Sequence, residues 1–245
     1  MEKTSNKKRY GIIAAVLVAL LVAGVGTWAW LQATDTKTNE FTVGNISKPD
    51  VKPDPDNPDQ PGTPGKDDTD PKVDGYLFET HWTDKSKMVP GTDITKNPNV
   101  GIGKDSDSSY VFIYVKNAIV KSGTSLDKTP YFELKNTKWK PVAGEFKTNK
   151  SDNSGTQYVS GLFMYTAGTD NLAKLTPADG KAAYTDELFN TVHIPDGMNN
   201  TDVVEANTDT KQAPTMTVSC YIFGADQGDA NNAITQAKAW ADTQA

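Results

Sequence analysis

Catalysis and metal binding need bases, nucleophiles and soft ligands, and this chain supplies few. It has two histidines, His81 and His193, and one cysteine, Cys220. A single cysteine can form neither an intramolecular disulfide nor a multi-cysteine zinc site. His81 falls in Glu79-Thr80-His81, where the first and third side chains share one face of a strand. A carboxylate and an imidazole so placed could grip a metal, although the commoner outcome is a solvated strand face. His193, in Thr-Val-His-Ile-Pro, reads as a strand end. Asp105, Asp107 and Ser109 resemble half of a calcium loop, but the glycine and distal glutamate of an EF-hand are missing, so a solvated turn is expected. Gly101-Ile102-Gly103-Lys104 is too short to cradle a phosphate and reads as a hairpin connection. There is no HExxH, no GxSxG, no P-loop and no GxGxxG between a strand and a helix. The residues therefore predict no catalytic, cofactor-binding or metal-binding set, and a chain that is not an enzyme.

The elements that would position any site are mostly strands. Tyr76–Trp82, Tyr131–Lys135, Lys138–Pro141 and Gln157–Thr166 are short runs rich in aromatic and β-branched residues. Tyr110–Val120 is the strongest, with Val111, Ile113 and Val115 on one face and Tyr110, Phe112 and Tyr114 on the other. Both faces are apolar, as in a central strand covered on both sides. Pro214–Phe223 closes the series, with Met216, Val218, Cys220 and Ile222 on one face. Cys220 is then expected to be a small buried hydrophobe. Dense turn signals between these runs favour an antiparallel sandwich over alternating βαβ units. Two helical stretches are expected, Thr185–Thr191 and Asp229–Gln244. In the second, Asp229 can cap, and Ala230, Ala233, Ile234, Ala237, Trp240 and Ala241 form a packing stripe. Trp82, Trp139, Tyr131 and Tyr158 could form an aromatic ligand platform, though core packing accounts for them as well.

The N-terminal third is organised differently. Lys3, Lys7, Lys8 and Arg9 precede an uncharged run, Gly11–Gly26. Its 16 residues exceed the ~7–15 of a usual secretory apolar region and fall short of the ~20 of a membrane span. Extension through Leu31 makes a plausible anchor, so residues 11–31 contact a membrane if the segment is retained. Gly24, Gly26 and Ala29 supply the small residues of a cleavage site, which places the cut between Ala29 and Trp30. The whole chain carries 25 basic and 31 acidic residues, a net charge of −6. That balance argues against a nucleic-acid partner. Residues 47–74 hold seven of the 14 prolines and almost nothing apolar. Such a tract reads as a disordered, extended linker with a reach on the order of 80 Å. The expected divisions are thus residues 1–29 as signal peptide or anchor, 30–46 as mature N-terminal segment, 47–74 as linker and 75–245 as one β domain.

The junction Gly26-Thr27-Trp28-Ala29, followed by Thr34-Asp35-Thr36-Lys37-Thr38-Asn39-Glu40-Phe41-Thr42-Val43-Gly44-Asn45, carries a resemblance. It is similar to exported proteins that depend on a SipW-type signal peptidase, the TasA and camelysin-like group of Gram-positive bacteria. Tyr110–Asn117, Glu187–Val192 and Val218–Asp226 resemble segments of the same group. The resemblance implies secretion to the cell surface or biofilm matrix and a jelly-roll-like sandwich. It further implies assembly into fibres in which the mature N-terminal strand completes a neighbour's sheet. Here the candidate donor strand is Asn39, Glu40, Phe41, Thr42 and Val43, whose alternation lets Phe41 and Val43 fill pockets. Two further readings stand beside this one. One is a surface adhesin or binding module on a stalk, facing glycan, cell wall or host protein. The other, implied by the camelysin likeness, is a metallopeptidase, for which the chain lacks a zinc-binding helix motif.

Overall fold

The computed structural model describes residues 45–62, 76–81, 88–204 and 215–244. The protein is mainly β, with antiparallel sheets and one C-terminal helix. Among the described residues, ten strands lie in order: β1 (Leu77–Glu79), β2 (Asp93–Thr95), β3 (Pro98–Ile102), β4 (Ser109–Asn117), β5 (Trp139–Thr148), β6 (Tyr158–Tyr165), β7 (Lys174–Leu175), β8 (Ala183–Tyr184), β9 (Thr191–His193) and β10 (Met216–Gly224). Helix α1 (Ala230–Gln244) follows.

The main sheet has the order β10-β4-β6-β5, with β7 pairing on β4. Its two faces follow from the alternation in the sequence. Val111, Ile113 and Val115 of β4 join Met216, Val218, Cys220 and Ile222 of β10 in the larger core. Tyr110 and Phe112, with Tyr221 and Phe223, face the other way and pack against Ala233, Ala237, Trp240 and Ala241 of α1. A second layer of short strands, β1-β3-β8 with β2-β9 beside it, covers the larger core. The expected two-sided burial of the central strand therefore has a physical cause, with short strands on one side and a helix on the other. Cys220 is fully buried, as the strand pattern predicted.

At α1 the expected cap forms, since the Asp229 carboxylate accepts the backbone N–H of Asn232 at 2.9 Å. Trp240 stacks on Tyr221 with ring centroids 5.4 Å apart. The other expected helix, Thr185–Thr191, does not form. Residues 185–190 are irregular, with bends at Leu188 and Asn190, and Thr191 opens β9. Their backbone bonds run to other segments. The Thr185 N–H donates to Val100 O, the Leu188 N–H to Pro98 O, and Leu188 O accepts the Lys135 N–H. Leu188 and Phe189 are adjacent in sequence and both fully buried, which an isolated helical turn on a sheet surface does not allow.

Residues 47–62 also depart from expectation. They read as part of a solvated linker, yet they lie along the domain, with Pro49, Pro53 and Pro58 buried. Residues 1–44 and 63–75 lie outside the described set. They include the cleavage position Ala29/Trp30, the donor segment Asn39–Val43 and the apolar run 11–31. Among the described residues, no helix is long and apolar enough to cross a membrane.

Candidate functional site

The most elaborate surface feature is the seat of the N-terminal strap, residues 45–62. It begins at the turn before β4, the one that looked like half a calcium loop. There the Asp107 N–H donates to Asn45 O at 2.8 Å, and the Asn45 side-chain amide donates to Asp105 O at 2.9 Å. The Ser47 N–H donates to Ser106 Oγ, and the Gly103 N–H donates back to Ser47 O. The turn thus serves as a backbone clamp. Gly103 allows this approach, because a Cβ there would stand 2.4 Å from Lys48 O.

Two phenols hold the next stretch. The Tyr76 hydroxyl donates to Ile46 O at 3.2 Å and the Tyr184 hydroxyl to Val51 O at 2.5 Å. Burial, with a lesser contribution from Cys220, pushes the Tyr76 phenol up to about 12. Burial, and then the Asp50 charge, raise Tyr184 as well. Both phenols stay protonated, so both remain donors at neutral pH. Tyr184 itself lies over Gly101, where any Cβ would collide with its ring. The pair Gly101 and Gly103 is therefore no phosphate loop; it is the room that an aromatic ring and a second backbone need.

The strap then turns back on itself. Pro53 bridges Pro61, and Asp54 closes the turn by accepting the N–H groups of Asp56 and Asn57. Buried Asn99 donates its amide to Pro58 O at 2.8 Å. Asp59 reaches Lys138, 3.2 Å from its ammonium, which also lies 3.4 Å from Asp186. Burial works against the Lys138 charge, but the hydrogen bond to Asp59 and the Asp186 charge outweigh it and raise the lysine above its ordinary value.

The predicted chemical residues fall in separate places. His81 stands past the end of β1, its Nδ1 4.0 Å from Glu187 Oε1. Glu187 is buried and held by Asn97 at 2.9 Å and Lys135 at 2.5 Å. Glu79, expected to share a face with His81, turns inward to Lys96. His193 is partly exposed, pairs with Asp93 at 2.7 Å and lies 4.9 Å from the Tyr131 ring. Among the described residues, no group of three or more His, Cys, Asp or Glu side chains could hold a metal ion. Trp139 and Tyr158 are core residues, with the Trp139 indole donating to Asp186 O. Trp82 lies outside the described residues, so they hold no exposed aromatic platform drawn from these four. An open apolar groove of about 260 Å³ is lined by Met88, Pro90, Ile194, Met198 and Val203 among others, and no strap residue borders it.

The strap was the part that sequence reasoning missed. Its signal was present in Gly101 and Gly103 opposite a proline-rich tract, but only contact between segments about 50 residues apart gives those glycines a purpose. Comparison of the chain with family models, with curated proteins and with solved structures gives no match.

Proposed function

We propose that this chain is an exported cell-surface or extracellular-matrix subunit. It assembles by donating its N-terminal strand, Asn39–Val43, to the sheet of a neighbouring copy, and it acts by assembly and not by catalysis. A SipW-type signal peptidase would release that strand by cutting between Ala29 and Trp30. The observation that carries the reading is the clamp on Asn45. It joins the donor segment to the domain at a fixed point, close to the turn where β4 begins and β10 ends, since Ala225 N–H donates to Ser108 O beside it.

Several physical points support this. Phe41 and Val43 share a face, so a strand formed there presents two anchors to one sheet. At roughly 3.3 Å per residue the segment reaches about 20 Å from Asn45, enough for an adjacent subunit and no farther. Laid along β10 of its own chain it would run parallel, whereas every pairing in the main sheet is antiparallel. Parallel pairs are slightly less stable per residue, so closure within one chain has no advantage in pairing energy over donation to a second copy.

The test is a variant lacking residues 30–43 but retaining Asn45 onward, beside the double substitution F41D/V43D. Size-exclusion chromatography and electron microscopy should show polymers for the mature wild-type protein. Both variants should be monomers with unchanged circular dichroism. Polymers that persist in both variants would sink strand donation. Sequencing the secreted N-terminus separately tests the export route, for which Trp30 is the expected first residue.

A further inference from the structure

Lys96 follows β2, and Glu79 closes β1. Strand register sets both: Glu79 lies opposite Pro98 of β3, and the Lys96 N–H donates to Asn190 O at 3.2 Å. Their side chains meet in the interior, Lys96 Nζ against Glu79 Oε1. The lysine side chain is 0% exposed and the carboxylate side chain 7%. Ile94, two residues before Lys96, and Leu77, two before Glu79, belong to or pack on the larger core. No polymer assembly or export step is needed to bring these two groups together.

An ammonium and a carboxylate taken out of water each lose their hydration, and their attraction often fails to offset it. Burial raises the Glu79 carboxyl above its ordinary value, against the opposing influence of Lys96. The contact itself supplies the path for a proton: its transfer from Lys96 Nζ to Glu79 Oε1 turns the ion pair into an amine touching a carboxylic acid. Those are the two reactive species for amide formation, since the unprotonated amine is the nucleophile and the protonated carboxyl the better electrophile. Holding two reactants in contact substitutes for collision, with effective molarities on the order of 10⁵–10⁸ M in well-oriented cases.

We propose that Lys96 and Glu79 condense into an intramolecular isopeptide bond that ties β1 to the β2–β3 connection. Lys96 Nζ attacks Glu79 Cδ. The new bond is Nζ–Cδ, and the bond that breaks is Cδ–O. The hydroxyl departs with one amine hydrogen as water, and the proton balance closes within the pair. No oxidant, reductant or cofactor takes part. The product is a neutral amide, so two buried charges disappear and the 79–96 loop becomes covalently closed.

Mass spectrometry reads this directly on the purified full-length protein. The expected intact mass lies below the sequence mass, counted from the sequenced N-terminus, by one water molecule. Trypsin should fail to cut after Lys96 and should yield Val73–Lys85 joined to Met88–Lys104. The variants Glu79→Ala and Lys96→Met should each restore the full mass. Lys135→Met, which removes one of the two partners of Glu187, should keep the deficit. The wild-type measurement does not depend on whether any variant folds. A wild-type protein with the full sequence mass and normal cleavage after Lys96 overturns the proposal, as does a deficit that maps to any other pair.

Discussion

At Gly161 the backbone takes φ +143°, and Phe146 of the neighbouring strand passes where a side chain would begin, its Cα 2.5 Å from the point a Cβ would occupy. The pairing of β5 with β6 shifts register at that point, between Pro141 and Phe146. A bulge of this kind lets β6 place Tyr158, Phe163 and Tyr165 on the larger core although their spacing is not a strict period of two. Substitution by alanine forces both a disfavoured φ and a backbone collision. Gly161→Ala should cost about 1–3 kcal/mol, read as a lower denaturant midpoint at unchanged slope. Trp139 is a contrasting case. Its ring is 1% exposed, and its indole N–H satisfies Asp186 O at 2.8 Å. Trp139→Ala should cost about 3–5 kcal/mol by cavity formation. Its burial was ambiguous in the sequence because a tryptophan beside Lys138 and Lys140 suits a ligand platform as well as a core. The decision came from the segment after β8, whose Asp186 O accepts the indole N–H, and from Tyr165 of β6, whose ring lies 5.4 Å away.

Among the elements, α1 and the strap show opposite kinds of legibility. The helix was readable because cap, spacing and apolar stripe are local signals, and Asp229→Ala should cost about 1 kcal/mol by loss of the cap. The 185–190 segment failed as a helix because its backbone partners are Val100 and Pro98, far away in sequence. The strap was unreadable for a similar reason. Its prolines have little apolar surface of their own, and docking depends on Tyr76, Tyr184 and Asn99 being presented together. This makes a pH prediction. Tyr76 is raised from its ordinary value of 10.0 to about 12 in the folded protein, and Tyr184 is raised too. The folded state favours the protonated phenols, so their contribution to stability is complete below pH 10 and is lost as pH rises through the folded values. The strap should loosen on alkaline titration across the window from about 10 to 12. Limited proteolysis within 45–62, quenched from each pH, would follow it. Tyr76→Phe with Tyr184→Phe should give the loosened state already at neutral pH.

For the whole molecule, the strap changes what the N-terminus can do. A free linker over residues 47–74 would have let the donor segment roam on the order of 80 Å. If subunits are joined through Asn39–Val43 as proposed, the clamp on Asn45 makes them close neighbours. A protein lacking residues 1–62 should therefore lose stability. The cut uncovers the groove that holds three buried prolines and leaves Asn99 without its partner at Pro58. Each kcal/mol lost should lower the melting temperature by about 2–4 °C for a domain of this size. A melting curve unchanged by removal of the strap would show that its docking contributes nothing to the fold.

The sequence by itself determined the mainly β class, the two-faced central strand, the buried cysteine, the capped C-terminal helix and the scarcity of catalytic groups. All of these rest on periods of 2 or 3.6 residues, on caps, or on counts of residue types, which are properties of short stretches. Only the tertiary structure decided that residues 47–62 are seated, that Thr185–Asn190 forms no helix, and that Glu79 meets Lys96 in the interior. Those outcomes depend on which backbone donors and buried side chains come together from distant parts of the chain. Local pattern has no access to that, because the hydration lost and the hydrogen bonds gained exist only once the layers have packed.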